Sequence, residues 1–139
     1  MRIIYFLVLF LAGCETTIQP NQTRVVFDSN PPGATISSNN QSYGIAPVAR
    51  IWTLNDINRK TFSPPITATW ASGAKFTVTL NLIPGQNGNF IINRPQGVDG
   101  LASDVQWGIS HQQQIQKKAD ENFAAWNTLI NKNIDNQER

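Results

Sequence analysis

The fold of this chain is decided by residues 24–38, which read RVVFDSNPPGATISS. Apolar and β-branched residues on both sides of a Pro-Pro-Gly break predict two short strands joined by a rigid corner. Each proline restricts φ to about −65°, and Gly33 permits a positive φ, so this tripeptide meets the demands of a tight corner. An Asn-rich turn follows at residues 39–42 and marks the end of the second strand.

Strand patterns continue beyond this corner to residue 94. A strand with imperfect alternation covers residues 48–54, a charged loop covers 55–65, and residues 66–70 alternate again. Residues 74–82 give the clearest strand, because Phe76, Val78, Leu80 and Leu82 share one face of it. A last strand covers residues 89–94, before Pro95. We therefore expect a mainly β fold, with a small antiparallel β sandwich over residues 24–95.

The corner and the residues after it resemble the PEGA domain. That family has a serine before a Pro-x-Gly-Ala corner, then a strand, then a Gly-x-x-Pro step, and these features fall on Ser29, residues 31–34, residues 35–37 and residues 44–47. The corner carries Pro32 where the family has glutamate. The resemblance covers about residues 25–82, and it implies a small antiparallel β sandwich and a role that is often suggested for the family, binding of cell wall or polysaccharide.

The N-terminus resembles a bacterial lipoprotein signal. A basic residue, Arg2, precedes an apolar run over residues 3–11, and the motif Leu11-Ala12-Gly13-Cys14 follows it. The run is shorter than the roughly 20 residues of a membrane-spanning helix. The resemblance implies that signal peptidase removes residues 1–13 and that Cys14, the only cysteine, carries covalent lipid. We expect no other cofactor.

Residues 14–23 are then expected to form the lipidated cysteine and a flexible tether. Glu15 follows the cysteine where the family's signal for inner-membrane retention has aspartate. In a host with two membranes, the resemblance therefore implies the periplasm-facing leaflet of the outer membrane. The chain has 11 Lys and Arg against 9 Asp and Glu without a basic stripe, so nucleic acid is not an expected partner.

The C-terminal part changes to helical periodicity. Ser110 and Gln113 match a capping box, which predicts a connector over residues 96–109 and an amphipathic helix over residues 110–135. Its apolar stripe contains Ile115, Ala119, Phe123, Trp126, Ile130 and Ile134. This stripe either packs on the sandwich as core or docks on another protein or a second copy. Ile115, Phe123, Trp126 and Ile130 are its candidate interface residues.

The residues that could carry chemistry are few. His111 is the only histidine, no cysteine and histidine cluster has the spacing of metal ligands, and no glycine-rich phosphate loop follows a strand. We expect neither a metal site nor catalytic residues, and not an enzyme. The favoured hypothesis is a membrane-anchored, non-catalytic envelope module that docks a protein. The alternative is a wall or polysaccharide binder that stacks sugars on the aromatic residues Tyr43, Trp52, Trp70 and Trp107.

Overall fold

The computed structural model describes residues 17–137, with nine β-strands and one helix in that range. The strands are β1 (Gln22–Asn30), β2 (Thr35–Ser38), β3 (Gln41–Ile45), β4 (Val48–Thr53), β5 (Thr61–Phe62), β6 (Ile66–Thr69), β7 (Lys75–Val78), β8 (Asn81–Leu82) and β9 (Asn87–Asn93), and the helix is α1 (Leu101–Gln137). The predicted class, a mainly β sandwich followed by a C-terminal helix, is confirmed.

Two main sheets make the sandwich. One has the strand order β4-β1-β9 and the other has the order β3-β2-β6-β7, while β5 and β8 form a separate two-stranded ribbon. Strand pairs are antiparallel with one exception in this range, since β9 runs parallel to β1 with Phe27 opposite Phe90. A parallel pair requires a long connection, and here the chain passes through β2 to β8 between the two strands.

The core lies between the two sheets and follows from the period of two along the strands. In β1 the side chains of Val25 and Phe27 point inward, and Ile36 on β2 and Ile66 on β6 meet them from the other sheet. Phe27 is fully buried and its ring packs edge-to-face on Trp52, with the ring centroids 6.0 Å apart. The apolar and β-branched residues of this segment predicted a strand, and the structure shows that Val25 and Phe27 are the ones that point inward.

The Pro-Pro-Gly corner is held by hydrogen bonds from both sides. The Ser29 hydroxyl donates to the Pro31 carbonyl over 3.0 Å and accepts the Ala34 amide over 3.1 Å. The indole of Trp70 donates to the same Pro31 carbonyl over 2.9 Å, from inside the core. Gly33 has a φ of +93°, so the glycine is required there by backbone conformation.

The strand predicted over residues 74–82 is divided in the structure. β7 ends at Val78, and Leu82 belongs to β8, which pairs with β5 in the separate ribbon. The cause is Ser63, whose hydroxyl accepts the Leu80 amide over 3.0 Å while its own amide donates to the Leu80 carbonyl. Leu82 is buried and Val78 and Leu80 pack against the core, whereas Phe76 is 44% exposed, so the predicted face is only partly buried.

The helix begins nine residues earlier than predicted. It starts at Leu101, so a connector over residues 96–109 is wrong from residue 101 onward, and the capping box at Ser110 and Gln113 lies inside the helix. The Gly100 carbonyl accepts the Asp104 amide over 3.0 Å and thus forms the first turn. Gly97 and Gly100 lie in the loop before the helix, whereas Gly108 lies inside it, where contacts with the sandwich stabilise the helix.

Candidate functional site

The first turns of α1 are anchored on the sandwich by a buried carboxylate. Asp104 is fully buried, and its Oδ2 lies 2.6 Å from Nε of Arg94, which is 5% exposed in its side chain. The Asp104 carboxylate also accepts the Ser72 amide and the Ser72 hydroxyl, each over 2.7 Å. Ser72 lies in the turn between β6 and β7, and Arg94 follows β9 directly. The Asp104 side chain therefore links the helix to both sheets.

Arg94 is itself held in place by the loop that enters the helix. Its guanidinium donates to the Val98 carbonyl over 2.7 Å and to the Asp99 carbonyl over 2.5 Å. A planar guanidinium presents several donors in a fixed arrangement, so it satisfies a carboxylate and two carbonyls at once. The direction of the chain into α1 is therefore set by this arginine.

The Asp104 carboxyl stays ionised because of these partners. Burial alone would raise its pKa, but the hydrogen bonds from Ser72 and the contact with Arg94 outweigh burial and hold the pKa below its ordinary value of 3.8. The carboxylate shares both of its oxygens among partners within the fold. We therefore assign Asp104 a structural role, as the anchor of the helix.

A second contact fixes the helix against the Pro-Pro-Gly corner. The Trp107 indole donates to the Gly33 carbonyl over 3.1 Å. Gly108 sits so close to the corner that an added Cβ would lie 2.4 Å from the Pro32 carbonyl oxygen. Trp70 thus contacts the corner from the core and Trp107 contacts it from the helix. Gly108 is needed because a residue without a Cβ allows this close approach.

Beyond its first three turns, α1 leaves the sandwich. Every side chain from Gln112 to Ile134 is exposed. Of the alternatives for the apolar stripe, packing on the sandwich as core is therefore excluded for these residues. We call the exposed apolar side chains of this segment the apolar strip. Its large members are Ile115 (51% exposed), Phe123 (65%), Trp126 (62%), Leu129 (56%), Ile130 (42%) and Ile134 (48%).

A groove at the base of the helix continues the apolar strip. It has a volume of about 480 Å³ and lies between α1 and the corner, with Pro31 and Pro32 on one side and Leu101, Val105 and Ile109 on the other. Leu101, Val105 and Ile109 precede the strip on the same helix at spacings of four residues. The groove and the strip therefore form one apolar surface along α1, and sequence reasoning missed its groove part because those residues were assigned to a connector.

The four aromatic residues proposed for sugar stacking do not form one platform. Trp70 is buried, with 2% of its surface exposed, so its ring has no free face. The Arg50 guanidinium lies over the Tyr43 ring, 4.1 Å from its centroid, and Trp52 packs on Phe27. Trp107 is 44% exposed, but His111 stacks on it, with the ring centroids 6.1 Å apart.

The other features considered are the lipoprotein signal motif, metal binding and membrane crossing. Leu11, Ala12, Gly13 and Cys14 lie outside the described residues. Within residues 17–137, no group of three His, Cys, Asp or Glu side chains could hold a metal ion. None of the helical residues described here forms a segment long and apolar enough to cross a membrane.

No protein-family model, no curated protein and no solved structure matches the chain. The resemblance of the corner to the PEGA domain therefore stays a prediction.

Proposed function

We propose that this protein is a membrane-anchored lipoprotein of the cell envelope that acts as a non-catalytic interaction module and docks a protein on the apolar strip. The observation that carries the proposal is the exposure of Phe123 and Trp126, at 65% and 62%. Exposed apolar residues that form one continuous surface, rather than scattered single positions, are typical of interaction sites. Aromatic residues of this kind are also common at the energetic centres of interfaces.

The anchor at Asp104 supports this function mechanically. An isolated helix is only marginally stable in water, and most helical stability in proteins comes from packing. Here Asp104, Trp107 and Gly108 attach the first turns to the sandwich, and the following turns project from it with the strip uncovered. A partner that covers the strip would stabilise these turns, so docking and ordering of the helix are coupled.

A protein fits this surface better than a membrane does. A helix that lies on a membrane surface is typically rich in Lys and Arg on its polar face. In α1 the sequence Lys117-Lys118-Ala119-Asp120-Glu121 mixes both signs, and Lys117 pairs with Glu121 over 3.9 Å. The polar face therefore offers no net attraction to anionic lipid headgroups.

The proposed lipid on Cys14 would place this docking surface near a membrane. The resemblance to a lipoprotein signal implies covalent lipid on Cys14, and stable anchoring needs at least two acyl chains. The predicted tether over residues 14–23 is wrong at its end, because Gln22 and Thr23 belong to β1 and Thr23 is buried. Residues 15–21 can extend over about 24 Å at roughly 3.4 Å per residue. We expect labelled palmitate to be incorporated into the wild-type protein and not into Cys14→Ser, since the resemblance places the lipid on Cys14. A wild-type protein that takes up no label would contradict the lipid anchor.

Site-specific photo-cross-linking tests the docking function in the lipidated protein. A benzophenone side chain at position 123 lies on the strip, and one at Gln114 lies on the opposite side of α1, because nine residues correspond to two and a half turns. We expect a light-dependent adduct from position 123 and none from position 114. Equal patterns from both positions, or no adduct from position 123 in a folded and membrane-bound protein, would rule out the strip as a docking surface.

A further inference from the structure

We propose that the partner on the apolar strip is a second copy of this chain, whose α1 lies antiparallel along the first with a twofold axis near Ala119. This inference rests on the docking role proposed above and names the occupant of that surface. The length of the strip, the area it exposes, the sizes of the side chains that would face each other and the charge of the helix each favour a second copy.

The length of the surface restricts what can cover it. The apolar residues of the groove and the strip run from Leu101 to Ile134, which is about 50 Å at roughly 1.5 Å per residue. A partner must present an apolar surface of similar length to cover all of it. Within residues 17–137, α1 is the one element that does so. A second copy therefore supplies the required shape without any further component.

The area of the surface agrees with a helix pair that uses the groove as well as the strip. The six large strip residues are about half exposed, and with aromatic side chains of about 200 Å² and aliphatic ones of about 120 Å² they offer roughly 500 Å². Two copies of the strip alone would bury about 1,000 Å², below the range of about 1,200–2,000 Å² for stable interfaces. Adding Leu101, Val105 and Ile109, which are 40–54% exposed, brings the total to about 1,300 Å².

The sizes of the side chains favour the antiparallel direction. With a twofold axis at Ala119, a residue of one copy lies at the same height along the helix pair as a residue of the other copy when their two numbers sum to 238. Phe123 then faces Ile115, and Trp126 faces Gln112. A parallel pair would instead place Trp126 against Trp126 and Phe123 against Phe123. Packing of large residues against smaller ones fills space without strain, and Ala119 allows close approach of the two helices where they cross.

The same twofold axis places the C-terminal part of the second copy's helix in the groove. Residues 129–134 of one copy lie at the height of residues 104–109 of the other, so Ile130 and Ile134 of the second copy reach the apolar wall formed by Val105 and Ile109. The two sandwiches then sit at opposite ends of the helix pair. In this arrangement each sandwich contributes Pro31 and Pro32 to the site that receives the other helix.

The charge of the helix permits self-association. Residues 109–135 contain Lys117, Lys118 and Lys132 against Asp120, Glu121 and Asp135, so the segment has no net charge. The Lys117 and Glu121 pair lies on the side of α1 away from the strip and is satisfied within one helix. Two strips can therefore approach each other without net repulsion and without burying these charges.

Sedimentation velocity of the predicted mature chain, residues 14–139 with Cys14→Ser, tests the inference. We expect twice the mass of the single chain at about 100 µM protein, since interfaces near the lower size class commonly have micromolar Kd values. Phe123→Glu and Trp126→Glu should each return the mass to that of one chain. Gln114→Glu makes a similar change on the opposite side of α1 and should stay dimeric. Circular dichroism of each variant serves as the control for folding.

Single cysteines in the same Cys14→Ser background test the direction of the pair. Ala119→Cys should form an intermolecular disulfide, whereas Ile130→Cys should not, because the two copies of residue 130 would be 22 residues, or about 33 Å, apart along the pair. Disulfides at both positions would overturn the antiparallel arrangement. A monomeric wild type would overturn the second copy as the occupant. If position 123 then still gave an adduct with a different protein, the docking function would stand without this inference.

Discussion

Removal of the Asp104 carboxylate is the sharpest test of how the helix is attached. Asp104→Ala leaves the Arg94 guanidinium, which is 5% exposed in its side chain, without its anionic partner. It also removes the acceptor of the Ser72 amide and hydroxyl. Ser72 lies in a turn of one sheet and Arg94 directly follows a strand of the other. We therefore expect the loss to affect unfolding of the whole sandwich and not only the first turn of α1.

The size of the effect follows from the contacts that remain. Removing one partner of a buried ion pair costs about 3–5 kcal/mol. Arg94 keeps its bonds to the carbonyls of Val98 and Asp99, so the lower end applies. We expect the free energy of unfolding to fall by about 3 kcal/mol, which corresponds to a decrease in Tm of about 10 °C for a domain of this size.

Urea unfolding at several pH values measures this effect and its electrostatic origin. The pKa of Asp104 is lowered in the folded state, so its contribution is complete above the unfolded pKa and is lost as the pH falls through the folded pKa. The difference between wild type and Asp104→Ala should therefore be constant from neutral pH down to about 5 and decrease below about 4. Asp99→Ala removes an exposed carboxylate nearby and should change stability by less than about 0.5 kcal/mol.

Two results would refute this reasoning. A loss below about 1 kcal/mol would show that water replaces the carboxylate and that the site is not effectively buried. A loss that stays constant to the lowest pH would show that Asp104 acts through packing rather than through its charge.

The remaining predictions concern the corner and the strip. Gly108→Ala should lower stability by about 1–3 kcal/mol in urea unfolding, because the added methyl lies 2.4 Å from the Pro32 carbonyl oxygen; a gain, as helix propensity alone would give, would contradict this close approach. Trp70→Phe should cost about 1–2 kcal/mol by thermal unfolding, since it removes the bond to Pro31 from the core, and an unchanged Tm would show that this bond is dispensable. Trp126→Glu should change stability by less than about 0.5 kcal/mol at low protein concentration, because the side chain is 62% exposed. A large loss there would place the strip in the core.

The strands were predictable where the alternation is regular and the contacts are local. In β1 the inward side chains of Val25 and Phe27 follow the period of two, and the Pro-Pro-Gly corner lies where its turn chemistry places it. The division of the strand at residues 79–80 was not predictable, because it depends on Ser63, which is 17 residues away in the chain. Apolar alternation continues through Leu80 and Leu82 although the two halves join different sheets.

The candidate site was predictable in its chemistry but not in its extent. The period of Ile115, Phe123, Trp126 and Ile130 identified an apolar face, while their exposure depends on where the helix leaves the sandwich. The aromatic platform failed for the related reason that residue type does not specify burial. Trp70 points into the core and donates to the Pro31 carbonyl.

The amino-acid sequence by itself determined the β class, the tight corner at residues 31–33 and the apolar face of the C-terminal helix, because each depends on neighbours within a few residues. Only the tertiary structure decided that α1 begins at Leu101 and that its strip is uncovered. Those features depend on Asp104, whose partners Arg94 and Ser72 lie 10 and 32 residues away in the chain. A carboxylate at such a position gives no local pattern, and its role becomes defined only when two sheets bring its partners together.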